Sequence, residues 1–224
     1  MHQIPERFRD LTLADFIDRL ASPDPVPGGG SAAAVAASLG AALVAMVAEL
    51  SRRPRYMEHA TLHGAAQASG RELADRLLTL ADEDAAAYGA YAAALKLPRD
   101  TEAEQEARSA ATRSAARLAS EVPLRCLEAC LETVAAAESL AGRCNQNASS
   151  DLTVASLLAE AGARGAAVNV LVNLPAVEDE AWANEADARV TELLEGVSRT
   201  AATCREVVAA GGRRAPLTRM EVPA

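Results

Sequence analysis

Apolar residues recur along most of the chain at intervals of three and four, and the breaks between these runs fall at proline, glycine or clustered polar residues. Leu13, Phe16, Ile17 and Leu20 share one helical face, and Thr12 supplies an N-cap oxygen. Pro23, Pro25 and Pro27 forbid continuation of that helix. After Gly28, Gly29 and Gly30 a small-residue helix is predicted, with Ser31 as its N-cap and an end near Ser51. Its composition lets neighbours approach on more than one side, which makes it the predicted central helix. A third helix, from 58 to about 95, has Leu73, Leu77, Leu78 and Leu80 apolar and Arg71, Glu72, Asp75 and Arg76 exposed. Asp100 or Thr101 with Glu104 forms a capping-box pattern for a fourth helix to about 141, which Pro123 is expected to kink or break.

Residues 142–151 read as a polar loop, with Ser149 or Ser150 capping the helix that follows. Beyond it Val168, Val170 and Val172 alternate as in a strand, whereas Asn169 and Asn173 lie four apart as on a helix. An isolated strand leaves its edges unpaired and no partner strand is evident, so a helix is predicted. A last helix spans about 179–210, and 211–224 read as a frayed tail. The fold class is therefore all-α: a single-domain bundle of long helices over 1–224, with its core at about 11–207.

Composition sharpens this outline. Half the residues are hydrophobic but only six are aromatic, so the core must form by close approach of small side chains. A net charge of -9 argues against nonspecific nucleic-acid binding, which needs a basic surface. The apolar run from 32 to 48, about 17 residues broken by Ser38 and Gly40, sits at the lower limit for a membrane span. A buried helix without membrane partners is expected. The segment "MHQIPERFRD" has no apolar signal-peptide core, so a cytoplasmic location is expected. Cys126, Cys130, Cys144 and Cys204 are too few and too irregular for a disulfide framework and are expected to be reduced core residues.

The glycine triplet lacks the lysine of a P-loop and the preceding strand of a dinucleotide fingerprint. A glycine loop opening a helix remains, and it serves either as a turn or as a cradle for an anion or polar ring edge. Asp82, Glu83 and Asp84 form a charge run suited to a solvated face, although Asp84 shares its face with Tyr88, four residues on. Asp151 is explained by helix capping, yet Asn145, Asn147, Asn169 and Asn173 make an unusual concentration of amides. His59 and His63 also share a face; without a third ligand they fit surface chemistry better than metal binding, and no metal site is expected.

The words "PVPGGGSAAAVAASLGAALVAMVAEL", "DEDAAAYGAYAAALKLP", "EVPLRCLEAC", "CNQNASSDLTVASLL" and "GARGAAVNVLVNL", in this order, resemble the cyclodeaminase/cyclohydrolase family of folate enzymes. The resemblance runs over about 11–207. It implies a helical homodimer that binds a tetrahydrofolate derivative in a cleft lined by the glycine loop. The residues carried over are Pro27, Gly28, Gly29, Gly30, Ser31, Asp84, Pro123, Asn145, Asn147, Asp151, Asn169 and Asn173. Asp84 and Asp151 are the expected catalytic carboxylates, one transferring the proton and the other stabilising the cation. The glycine loop with Ser31 and the four asparagines forms the expected substrate-binding set. Where the family often has a lysine-rich turn this chain has "RRPRY", so Arg52, Arg53 and Arg55 are expected only to attract the substrate.

Two reactions fit. A cyclohydrolase adds water to the methenyl bridge of tetrahydrofolate and opens it to the formyl derivative; a cyclodeaminase closes the formimino group and releases ammonia. Both pass through one tetrahedral carbon between two folate nitrogens and need no cofactor beyond the tetrahydrofolate substrate. The lack of an attached formiminotransferase domain inclines the expectation to the cyclohydrolase. The third alternative is a helical interaction protein without activity.

Overall fold

The computed structural model describes residues 7–217 of the 224. Among these the chain forms six α-helices: α1 (Leu13–Leu20), α2 (Gly29–Leu50), α3 (Ala60–Ala94), α4 (Glu102–Leu140), α5 (Ser149–Asn173) and α6 (Glu180–Ala210). Short 3-10 turns join several of them, and the described residues contain no strand. The Asn169–Asn173 segment lies within α5, as the absence of a partner strand required.

Several boundaries follow from local chemistry. The Thr12 hydroxyl accepts from the Asp15 N–H and starts α1. Thr101 and Glu104 complete a reciprocal capping box at the start of α4. Asp179 accepts from the Trp182 N–H at the start of α6, and Gly211, with a positive φ of 65°, ends that helix. Two predicted caps are corrected. α2 begins two residues before Ser31, on an extended Gly28, because the Ser31 side chain turns inward to α3. α5 begins at Ser149 without a side-chain cap, the Ser149 hydroxyl donating instead to Gln146 O. Pro123 does not end α4, which continues through it to Leu140.

α2 is the central helix. It packs most extensively against α3 and α5, while α4 packs against α3 and α5, and α6 closes the other side of α4 and α5. The contacts are made of small residues: Ala34, Ala37 and Ala41 of α2 meet Ala159, Ala163 and Ala166 of α5 in one buried cluster. At the closest crossings there is no room for a Cβ. A methyl on Gly40 would lie 2.8 Å from Ala155 O, and one on Gly162 would lie 2.7 Å from Ala33 O. Leucines from α3, α4 and α6 fill the wider spaces, with Leu77, Leu127 and Leu193 almost fully buried.

The four cysteines are free and buried. Burial pushes the Cys144 thiol up to about 11 and the Cys204 thiol up to about 12, which keeps both protonated. Two helical segments, Gly29–Leu50 and Gln146–Ala176, are long and apolar enough to cross a membrane, and both contribute buried residues to the bundle. The described part of the tail is not frayed. The Arg214 N–H donates to Gly142 O at 2.9 Å, its guanidinium pairs with Glu138 at 2.6 Å, and Arg143 donates to Ala215 O at 2.6 Å. Residues 218–224 of the predicted tail lie outside the described residues.

The packing makes a signed prediction. Alanine normally stabilises a helix interior over glycine by about 1 kcal/mol, and exposed Gly64, with open space around its missing Cβ, should follow that rule. Gly162→Ala should instead destabilise by about 1–3 kcal/mol, lowering the melting temperature by roughly 2–4 °C per kcal/mol, because the methyl meets the backbone of α2. Thermal melts of the two variants test this; a rise in both would refute close helix contact.

Candidate active site

A cleft of about 280 Å³ opens where the N-terminus of α2 meets α3, α4 and the C-terminal end of α5. Pro25, Val26, Gly28, Gly29 and Gly30 form one wall; Asp84, Tyr88 and Tyr91 come from α3, Ala119 from α4, and Asn169, Val172 and Asn173 from α5. Larger concavities of about 590 Å³ and 550 Å³ lie elsewhere on the surface. Neither of them gathers amides around a half-buried carboxylate.

The three acidic residues of the charge run have different fates. Asp82 accepts the Phe8 N–H at 2.8 Å and Glu83 pairs with Arg125, while Asp84 turns toward the first turn of α2. Its carboxylate occupies the volume that a Cβ on Gly30 would need, so a side chain at 30 would have to displace the Asp84 carboxylate. Gly29 differs: its missing Cβ faces open space.

Burial raises the Asp84 pKa above the usual carboxylate range, opposed by hydrogen bonds from the Ser31 hydroxyl and backbone N–H. Ser31 Oγ lies 3.0 Å from Asp84 Oδ2 and 3.1 Å from Ala81 O. A hydroxyl carries one rotatable proton and can also accept. It therefore donates to an ionised Asp84, or donates to Ala81 O while accepting from a protonated Asp84. Both protonation states are accommodated without moving a heavy atom, which suits a group that exchanges protons with a substrate.

The expected site residues fall into two groups. Gly28, Gly29, Gly30, Asp84, Asn169 and Asn173 line the cleft, with Ser31 directly behind Asp84. Pro27 is buried beside them and lines the neighbouring groove with Phe8 and Asp82. Asn145, Asn147 and Asp151 lie at the opposite end of α2, which at 22 residues is about 33 Å long. There the Asn145 N–H donates to Ser51 Oγ at 2.8 Å, and the Asn147 N–H donates to Asn145 Oδ1 at 3.2 Å. The chain alone thus does not bring Asp84 and Asp151 to the same site.

Among the arginines of the basic turn, Arg52 pairs with Glu49 and Arg55 stacks over Tyr56 at 5.0 Å. His59 and His63 are buried, not at the surface, with the His63 ring 2.8 Å from Arg143 O. Among the described residues no group of three His, Cys, Asp or Glu side chains could hold a metal ion. Tyr91 and Ala119 had no signal of their own in the sequence, although Tyr91 lies seven residues after Asp84, two helical turns along the same face.

Residues 12–192 match the family model described as formiminotransferase-cyclodeaminase. The chain belongs to this family. It is 40% identical over 197 residues to a methenyltetrahydrofolate cyclohydrolase of Methylorubrum extorquens, covering 87% of this chain and 92% of that one. It is 37% identical over 192 residues to the formimidoyltransferase-cyclodeaminase of Sus scrofa, of which it spans only 35%. The crystal structure of formiminotetrahydrofolate cyclodeaminase from Thermotoga maritima superposes with a TM-score of 0.82 at 25% identity, over 90% of this chain and 98% of that one. The helical architecture of the family is therefore shared along almost the whole chain.

Two predictions arise from the cleft. Gly30→Ala should displace Asp84 and reduce turnover by roughly tenfold or more, whereas Gly29→Ala should leave the fold and Asp84 undisturbed. Crystal structures of both variants check the displacement directly. The raised pKa of Asp84 also has a stability consequence. Because the folded state holds this proton more tightly than the unfolded one, its stabilising contribution is complete below the unfolded pKa and is lost as pH rises through the folded value. Asp84→Asn should thus melt at a higher temperature than the parent at pH 8, with the gap closing below about pH 4. A gap that is the same at both pH values would contradict the cost of the buried charge.

Proposed function

We propose that this protein is a methenyltetrahydrofolate cyclohydrolase, with Asp84 as its proton-transfer group. The single observation that carries the choice of reaction is the 40% identity to the Methylorubrum extorquens cyclohydrolase, which spans 92% of that enzyme. A cyclodeaminase is the second reading, favoured by the likeness to the Thermotoga maritima enzyme. The cleft supplies the tools that either reaction needs.

Methenyl-tetrahydrofolate is a cationic amidine, and an anionic carboxylate beside its bridge carbon stabilises it electrostatically. Asp84 accepts a proton as water adds to that carbon, giving a neutral tetrahedral adduct. The protonated carboxyl then returns the proton to the departing ring nitrogen as the carbon–nitrogen bond breaks and the formyl carbonyl forms. The hydroxyl proton of the adduct leaves to solvent, so the net reaction consumes one water and releases one proton. Ser31 adjusts its hydrogen bond at each transfer, and Asn169 and Asn173 hold polar edges of the pterin. This chemistry asks for no cofactor beyond the folate substrate.

The active form is a cytoplasmic homodimer built on the exposed faces of α2 and α5. These adjacent helices leave Leu39, Met46, Val154, Leu157 and Val168 exposed, and Val172 links this apolar face to the cleft. A two-fold axis across it sets the helices of the two copies antiparallel. The end bearing Asn145, Asn147 and Asp151 in one subunit then approaches the partner's cleft.

Loss of the near-ultraviolet absorbance of methenyl-tetrahydrofolate above the spontaneous rate is the expected activity, abolished to within about 1% of the parent in Asp84→Asn. Ammonia release from formimino-tetrahydrofolate without that hydrolysis would select the cyclodeaminase instead. Mixing inactive Asp84→Asn with an inactive Asp151 variant should restore activity if the site is shared between subunits. Full activity of Asp151→Asn alone would remove that residue from the mechanism.

A further inference from the structure

Among the described residues no Lys, Arg or His lines the cleft, although the chain carries 22 Lys and Arg residues. Asp84 is the one charged side chain on its walls. The first turn of α2 adds a partial positive charge, and the Asp84 carboxylate meets it through the Ser31 N–H. A cation entering the cleft therefore meets a carboxylate and no opposing basic side chain.

The aromatic residues divide in the same way. Of the six Phe, Tyr and Trp rings in the chain, four are engaged by the protein itself. Phe8 and Phe16 pair edge to face at 5.6 Å, Tyr56 is buried under Arg55 at 5.0 Å, and Trp182 lies under Arg117 at 4.7 Å. Tyr88 and Tyr91 are the other two. Both line the cleft, and neither has a ring, cation or hydrogen-bond partner among the described residues. Tyr88 is 46% exposed in a bundle whose core otherwise excludes large rings. It follows Asp84 by four residues on α3, and helical side chains lean toward the N-terminus, so its ring is directed to the turn that bears the carboxylate.

We infer that Tyr88 and Tyr91 form, beside Asp84, an aromatic site for a planar cation, and that this site selects the cationic methenyl form of the folate over neutral forms of the same skeleton. This rests on the folate reading of the cleft and goes beyond it by naming the charge state that is selected and the rings that select it. The face of a tyrosine ring is negative, and a flat amidine whose charge is spread over two nitrogens presents a broad positive face to it. The attraction belongs to the bound cation and fades as water adds and the adduct becomes neutral. Loss of a ring therefore raises KM without lowering kcat.

The test sets methenyl-tetrahydrofolate against methylene-tetrahydrofolate, which has the same bridged skeleton with one added hydride and no charge. KM is measured for the first and the competitive inhibition constant for the second, in the parent and in variants checked for helix content by circular dichroism. Tyr88→Leu should raise KM for the cation by at least about threefold and change the inhibition constant of the neutral compound by less than about twofold. Tyr88→Phe keeps the ring face and should hold the parent's ratio of the two constants within about twofold. Tyr91→Leu should shift the ratio in the same direction as Tyr88→Leu. A parent that holds the two ligands alike overturns the inference, as does an equal rise for both in Tyr88→Leu, or a loss in Tyr88→Phe as large as in Tyr88→Leu. If the protein turns over neither folate substrate, titration calorimetry with the same two compounds supplies the ratio. Discrimination there, lost in Tyr88→Leu, upholds this inference while the proposed reaction falls.

Discussion

The close approach of α2 to α3 and α5, with glycine or alanine at nearly every crossing, is the constraint on which the rest of the structure depends. Helices this near to one another bury backbone as well as side chains, so polar groups must be satisfied on the spot. Serines do this within the crossings: Ser38 Oγ donates to Ala74 O at 2.8 Å, and Ser31 Oγ reaches Ala81 O. Large rings have no place there, which accounts for a core with few aromatic residues. A longer side chain at Gly40 or Gly162 would push α5 away from α2, and the cleft wall carrying Asn169 and Asn173 would move with it.

The same closeness shapes the candidate site. Because residue 30 has no Cβ, a carboxylate from α3 fits against the first turn of α2, partly removed from water. Unpaired N–H groups at the helix start favour its anion, while burial disfavours it. The pKa is raised by burial and held in check by Ser31, which brings the two forms closer in energy than they are for a surface aspartate. A proton-transfer group gains from that balance, and the fold bears the cost of the buried charge in stability.

The helical architecture was legible because each level of the sequence agreed: periodicity, the capping box at Thr101, the small-residue run of α2 and the missing partner for a Val168–Val172 strand. Individual side-chain directions were less so. Nothing in "DED" distinguishes Asp84 from Asp82 and Glu83, since the choice depends on α2 packing against that turn of α3. Ser31 looked like a helix cap because serine caps helices commonly; its inward turn depends on the same tertiary contact. Pro123 predicts a kink or a break because local chemistry removes one hydrogen bond, while a donor to Ala119 O lies fifty residues away on α5. Polar residues of 211–217 resembled a free tail, yet Arg143 and Arg214 bind them through backbone carbonyls and Glu138, partners that no periodicity marks.

The polar cluster at the far end of α2 serves either the local structure of its own loop or a site beyond it, and the hydrogen bonds weigh one against the other. Asn145 is accounted for within the chain, since its N–H fastens the 142–148 loop to Ser51 and its Oδ1 accepts from the Asn147 N–H, a bond that uses only the backbone of 147. Asp151 gains from the positive end of α5, but a first-turn carboxylate contributes only about 0.3–1 kcal/mol there, and any acidic residue in that turn would serve. Local structure therefore explains Asn145, but it explains the choice of asparagine at 147 and of aspartate at 151 only weakly. In the proposed homodimer, where the far end meets the partner's cleft across the α2 and α5 face, Asp151 would supply the second negative charge that a cationic methenyl bridge favours and that the chain alone leaves about a helix length away.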